Sequence, residues 1–168
     1  MSVIKNRRGL SELQVYKTAR TMRKDITFLT LRDFGIHSRG KKFKEETGSQ
    51  QPEGFYDELI AEYSKNIRLI LRNMMLNITA ANTIYPINFD EVTLRRRYQT
   101  GAIINCEQLI QELQYCKDIM PVKASMFVPY EDIIDKEIEL LKGWRKSNNK
   151  FYKIIEEKQR KKEEQNNN

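Results

Sequence analysis

The sequence predicts an all-α protein, an antiparallel up-and-down four-helix bundle, and three observations predict it. Apolar residues recur at intervals of three and four in four separate stretches. Glycine and proline, only 7 and 4 residues, gather mostly between those stretches. A chain of 168 residues suits one hydrophobic core rather than two.

The first helix is expected from Ser11 to about Phe34, with Tyr16, Ala19, Met22, Ile26 and Leu29 on one face and Ser11 and Gln14 forming a capping box. Its last residues, FLTLRDF, also fit strand alternation. Residues 35–54 hold four glycines and Pro52, and are expected to form a long mobile loop. The second helix has the cleanest stripe, Ile60, Tyr63, Ile67, Ile70, Met74, Ile78 and Ala81, and Pro86 in the following segment NTIYPIN prevents its continuation. Asn88 followed by Glu91 starts a third helix, which carries Ile103, Cys106, Ile110 and Leu113 and runs to about Lys117 before Pro121. The fourth is expected after Pro129, with Ile134, Ile138, Leu141, Trp144, Phe151 and Ile155 inward. Residues 1–10 then form a basic arm, 11–157 the bundle, and 158–168 a charged tail expected to fray, because it has no apolar residue to bury.

Net charge is +7 at pH 7, and residues 1–44 alone carry twelve Lys and Arg against three acids. Such an excess favours polyanionic partners, nucleic acid or an anionic surface. Catalytic signals are sparse. His37 is the sole histidine, Cys106 and Cys116 lack CxxC spacing and are expected to stay reduced, and no GxxxxGK[ST], GxGxxG or HExxH pattern occurs. Acidic pairs such as Glu45 and Glu46 fit a solvated surface, and Glu107 and Glu112 either pair with Arg and Lys in the bundle or, as the lesser alternative, serve an enzyme with a divalent metal. A binding protein with no enzymatic activity and no cofactor or metal is therefore expected. No apolar run reaches the length of a membrane span and MSVIKNRRG does not resemble a secretory signal, so the expected location is the cytoplasm.

Two basic features stand out. Arg95, Arg96 and Arg97 are consecutive, so at 100° per residue they fan around a helix and at least one points inward, toward a buried carboxylate, a phosphate or a partner. In LLKGWRKSNNKFYK, Lys142, Arg145, Lys146 and Lys150 surround Trp144, whose ring either stacks on a base or belongs to the bundle stripe. Gly143 within that helix suggests a close helix approach or a local bend. Arg7 and Arg8, with Lys5, form either a binding arm or a solubilising terminus.

Residues 78–116, ITAANTIYPINFDEVTLRRRYQTGAIINCEQLIQELQYC, followed by IDKEIELLKGWRKSNNKFY, resemble the Avd family, the accessory variability determinants of diversity-generating retroelements. The opening KNRRGLSELQVYKTAR fits as well, so the resemblance spans about residues 1–155, with the loop 35–54 and the tail longer than the compact family core. It implies a homopentameric barrel of four-helix bundles that binds a reverse transcriptase and its template RNA, with DNA or an RNA–DNA hybrid as further polyanions, and supports mutagenic complementary-DNA synthesis. A related helical-bundle group is encoded by intervening sequences in large ribosomal RNA genes, and a protein-interaction or assembly module of that type is the alternative. The family has no invariant chemical motif to carry across. The expected contacts, Arg95, Arg96, Arg97, Lys142, Trp144, Arg145, Lys146, Lys150, Arg7 and Arg8, therefore rest on charge and ring chemistry.

Overall fold

A computed structural model describes residues 9–36 and 56–166, and these are all-helical, with no strand among them. Arg7, Arg8, His37 and nearly all of the loop expected at 35–54 lie outside the described residues. In chain order the helices are α1 (Gln14–Leu31), α2 (Asp57–Thr83), α3 (Phe89–Ile119), α4 (Val128–Lys146) and α5 (Asn149–Asn166). α1 packs on α2 and α4, and α3 packs on the same two, so four helices close a ring around one core.

That core is the one the spacing predicts in most positions. Ala19, Met22, Ile26 and Leu29 of α1 are buried, as are Ile60, Ile67, Met74 and Ile78 of α2, Ile103, Cys106 and Leu113 of α3, and Ile134, Ile138 and Leu141 of α4. Tyr16, Tyr63, Ile70, Ile110 and Trp144 are only half-buried against it. Each fully buried aliphatic side chain contributes about 1.5–3 kcal/mol of transfer free energy, which makes this ring of side chains the dominant source of stability.

Helix boundaries follow local chemistry, with several departures from expectation. Ser11 does not cap α1. A 3-10 turn, Leu10–Glu12, takes the local backbone donors, Glu12 N–H to Gly9 at 2.9 Å and Leu13 N–H to Leu10 at 3.2 Å, while Gln14 turns its amide to Thr18 Oγ1. Asn88 does cap α3 as expected, accepting from Glu91 N–H at 2.9 Å, and the Glu91 carboxylate accepts from Ile87 N–H at 2.7 Å in return. The expected fourth helix is two helices, because Ser147 Oγ donates back to the Trp144 carbonyl at 2.6 Å and buried Asn148 commits its side chain to Gln99 across the bundle. α4 also begins at Val128, before Pro129, since proline is accommodated in a first turn. The tail expected to fray is helical through Asn166. Its Glu, Lys, Gln and Arg are strong helix formers, and Arg160 pairs with Glu164 one turn on at 3.5 Å.

α1 stops three residues before Phe34, at Leu31. Asp33, Phe34 and Gly35 then take left-handed φ values of 49°, 52° and 74°. Two non-glycine residues in that region cost about 1–2 kcal/mol each. Full burial of Phe34, with Gly35 N–H donating to Arg32 at 2.8 Å and Ile36 N–H to Asp33 at 2.9 Å, offsets that cost. Gly143, by contrast, meets no close helix: a Cβ there has nothing within 4 Å. Substituting these two glycines by alanine has opposite effects. Gly35→Ala lowers unfolding free energy by about 1 kcal/mol through its positive φ and Met126 Sδ at 3.4 Å, and Gly143→Ala raises it by about 0.5–1 kcal/mol. Urea denaturation checks both, and two shifts of the same sign contradict the assignment.

Both cysteines are free and buried, and Cys106 Sγ lies 3.6 Å from Met74 Sδ. Burial pushes the Cys106 thiol far above its ordinary pKa and Cys116 up to about 12, so neither is a thiolate at neutral pH. Glu137 on α4 is the outlier in the core: it is fully buried and neither carboxyl oxygen has a hydrogen-bond partner. Desolvation raises its pKa from 4.5 to about 9, so it is protonated at neutral pH. Below about 4.5 folded and unfolded chains both hold the proton. Between 4.5 and 9 only the folded chain does, so this group's contribution falls as pH rises through that window. Glu137→Gln is therefore expected to be more stable than the parent at pH 8, by about 2 kcal/mol, with the difference shrinking toward pH 5. Denaturation across pH checks this, and a Gln variant less stable than the parent at pH 8 contradicts it.

Candidate nucleic-acid interface

The expected contact residues on α3, α4 and α5 lie toward one end of the bundle, where α2 ends, α3 begins and α4 passes into α5. Pro86 and Tyr85 stop α2, and the Asn88 cap starts α3 so that Arg95 lies two turns in. Arg95 is half-buried and turned inward. Its Nη1 donates to the Ile84 carbonyl, and its Cζ stands 5.4 Å from the centroid of Trp144 and 5.5 Å from that of Phe151. One guanidinium thus ties the end of α2 to α3, α4 and α5. Burial lowers its pKa, but arginine stays charged at any ordinary pH. The inward arginine expected from the fan exists, held by a carbonyl and two rings instead of by a carboxylate.

Aromatic pairs extend this joint. Tyr85 meets Phe151 edge-on at 5.9 Å, and Phe89 stacks on Tyr152 at 5.8 Å. At the break between α4 and α5, buried Asn148 donates from Nδ2 to Gln99 Oε1 of α3 at 2.6 Å. Arg145 Nη1 reaches Thr100 Oγ1 at 3.1 Å. Trp144 is therefore a half-buried structural ring, and Arg95 and Arg145 are largely occupied within the protein.

The other expected cations do face solvent. Arg96 and Arg97 on α3, Lys142 and Lys146 on α4 and Lys150 on α5 are exposed, with Lys150 Nζ 5.3 Å from the Phe151 ring. Residues four apart share a helix face. Arg96 lies on the α4 side, below Thr100, and Arg97 on the α2 side, below Gly101, where a Cβ falls 2.9 Å from Asn77. The three arginines are thus divided among three directions rather than gathered into one cluster.

A further set of cations was absent from the expected contacts. Lys17, Arg20, Arg23 and Lys24 of α1 are all exposed. Their signal was present: 17, 20 and 24 are spaced at helical intervals opposite Val15, Ala19, Met22 and Ile26. Among the described residues, none of the exposed cations named on α1, α3, α4 and α5 has a carboxylate within 4.0 Å.

Two other surfaces bear on function. A cavity of about 260 Å³ between α1 and α2 is lined by Asp33, Asp57, Arg68, Ser64 and Thr30, a mixed charge set unlike a polyanion site. Leu69 and Leu76 of α2 and Ile104 and Tyr115 of α3 are each about half exposed, an apolar outer face on this helix pair. Among the described residues no group of three or more His, Cys, Asp or Glu is placed to hold a metal ion, and no helix is long and apolar enough to cross a membrane.

No protein-family model matches the chain, and no curated protein or solved structure matches it significantly.

Arg95 is expected to behave as a stability residue. Arg95→Ala loses a charge-assisted hydrogen bond and two ring contacts, costing about 2 kcal/mol or more, while Arg95→Lys keeps the charge and loses about half of that. Thermal unfolding with Trp144 fluorescence measures both. Parent-like stability of the alanine variant contradicts the joint.

Proposed function

We propose that this protein is a non-catalytic adaptor that holds RNA, and with it a reverse transcriptase, as the Avd-like segments imply. Its support is the set of outward, acid-free cations: Lys17, Arg20, Arg23, Lys24, Arg96, Arg97, Lys142, Lys146 and Lys150. A phosphate chain neutralises several such groups at once and releases its counterions, which supplies affinity without any sequence-specific pocket. Helices hold the side-chain roots rigidly, so ordering on binding is confined to the side chains, at about 0.5–1.5 kcal/mol for each one immobilised.

The bundle in this proposal runs up and down. Tyr63 meets Tyr115, Met74 meets Cys106 and Asn77 meets Asn105 and Gly101, so residue numbers rise on α2 as they fall on α3. Leu69, Leu76, Ile104 and Tyr115 supply a face for association of copies, and five copies is the number that the resemblance implies. Work on RNA alongside a reverse transcriptase places the protein in the cytoplasm. The same apolar face favours a second function, a protein-interaction module whose cations meet an acidic protein.

Salt titration of RNA binding separates the two. With about five phosphate contacts, affinity for a single strand falls roughly a hundredfold over a fourfold rise in salt. Fluorescence anisotropy with a labelled oligouridine reads this directly. Absent or salt-independent binding rejects the RNA role and leaves the interaction module.

A further inference from the structure

We infer that the outward stripe of α1 is a track for single-stranded RNA, with Lys17, Arg20 and Lys24 on successive phosphates and Phe28 as the platform for a base. This rests on the RNA-binding function proposed above and assigns it a surface and a strand state. Lys17, Arg20, Lys24, Phe28 and Leu31 follow one another at intervals of three, four, four and three residues, directly opposite the buried face of Val15, Ala19, Met22 and Ile26. The cations are exposed and none has a carboxylate within 4.0 Å among the described residues. Steps of three and four residues place them about 4.5 and 6 Å apart along the axis, the scale on which charge recurs along one strand.

Phe28 and Leu31 are 47% and 60% exposed, immediately after the cations on the same stripe. An exposed ring beside a cation row fits an unstacked base, whose face a duplex does not offer. A membrane fits less well. An amphipathic helix lies in a bilayer by its apolar face, and that face of α1 is spent on the bundle core. The α3–α5 end also fits less well, because Arg95 and Arg145 are turned to Ile84 and Thr100, whereas α1 commits none of its cations internally.

The test uses the full chain, labelled oligouridine and an RNA duplex of equal length, read by anisotropy. Combining Lys17→Gln, Arg20→Gln and Lys24→Gln is expected to weaken oligouridine binding by at least about tenfold and to reduce the slope of log affinity against log salt by about 2. Phe28→Ala is expected to weaken it about tenfold with the slope unchanged and duplex affinity unmoved, and Phe28→Tyr to restore it. All these side chains are exposed, so thermal melts should stay at the parental value. If the triple variant binds like the parent while glutamine at Arg96, Arg97, Lys142, Lys146 and Lys150 abolishes binding, the α1 track is wrong and the RNA function stands. Equal loss on duplex and single strand from Phe28→Ala overturns the single-strand assignment. A parent that ignores oligouridine, or binds phosphatidylserine vesicles instead, overturns both.

Discussion

One half-buried cation organises the end of this bundle. Arg95 sits between the rings of Trp144 and Phe151 with its guanidinium on the Ile84 carbonyl, and so joins the end of α2 to the start of α3 and to both halves of the interrupted fourth helix. A partly desolvated guanidinium over aromatic faces is worth about 1–2 kcal/mol beyond its hydrogen bond, whereas an exposed ion pair is worth about 0–1. The aromatic joint and the Asn148–Gln99 bond set where α5 leaves the bundle, and with it the position of Lys150. The surface cations are positioned by groups that are themselves half or fully buried.

Displaying so many like charges costs little stability. Adjacent cations on the α1 stripe, Lys17, Arg20 and Lys24, stand about 4.5 and 6 Å apart along the axis, within the roughly 8 Å screening length, and an exposed like-charge pair one turn apart costs only about 0.2–0.5 kcal/mol. Solvated neighbours at that spacing repel weakly, yet a polyanion that follows the helix meets each in turn. The same geometry explains why acids are held away. A carboxylate four residues along would satisfy each lysine locally, at about 0.3–0.5 kcal/mol, and would remove it from the track.

Periodicity made the four-helix core legible, because burial acts on spacing: Met22, Ile26, Ile67, Met74, Ile78, Leu113, Ile134 and Leu141 are each fully or nearly fully buried where their stripe places them. The Asn88 cap was equally legible, since its signal is local. What escaped depends on tertiary context. The left-handed turn at Asp33–Gly35 exists because Phe34 has a core to enter, and the break at Asn148 because Gln99 waits across the helix pair. The cation site was legible only as composition. Which of Arg95, Arg96 and Arg97 turns inward is decided by the position of Trp144 and Phe151, and no local pattern in the arginines encodes it. The α1 cations were visible in the charge count, but their display on one stripe became clear only beside the buried face behind them.

Lysine-reactivity footprinting with and without bound oligouridine tests the central claim, that RNA is held by a particular set of outward cations on a rigid helical scaffold, most directly. Lys17 and Lys24 should lose reactivity on binding, while Lys65 and Lys117, also exposed but outside the proposed contacts, keep it. Uniform protection of every lysine, or none at the first group, would contradict the account.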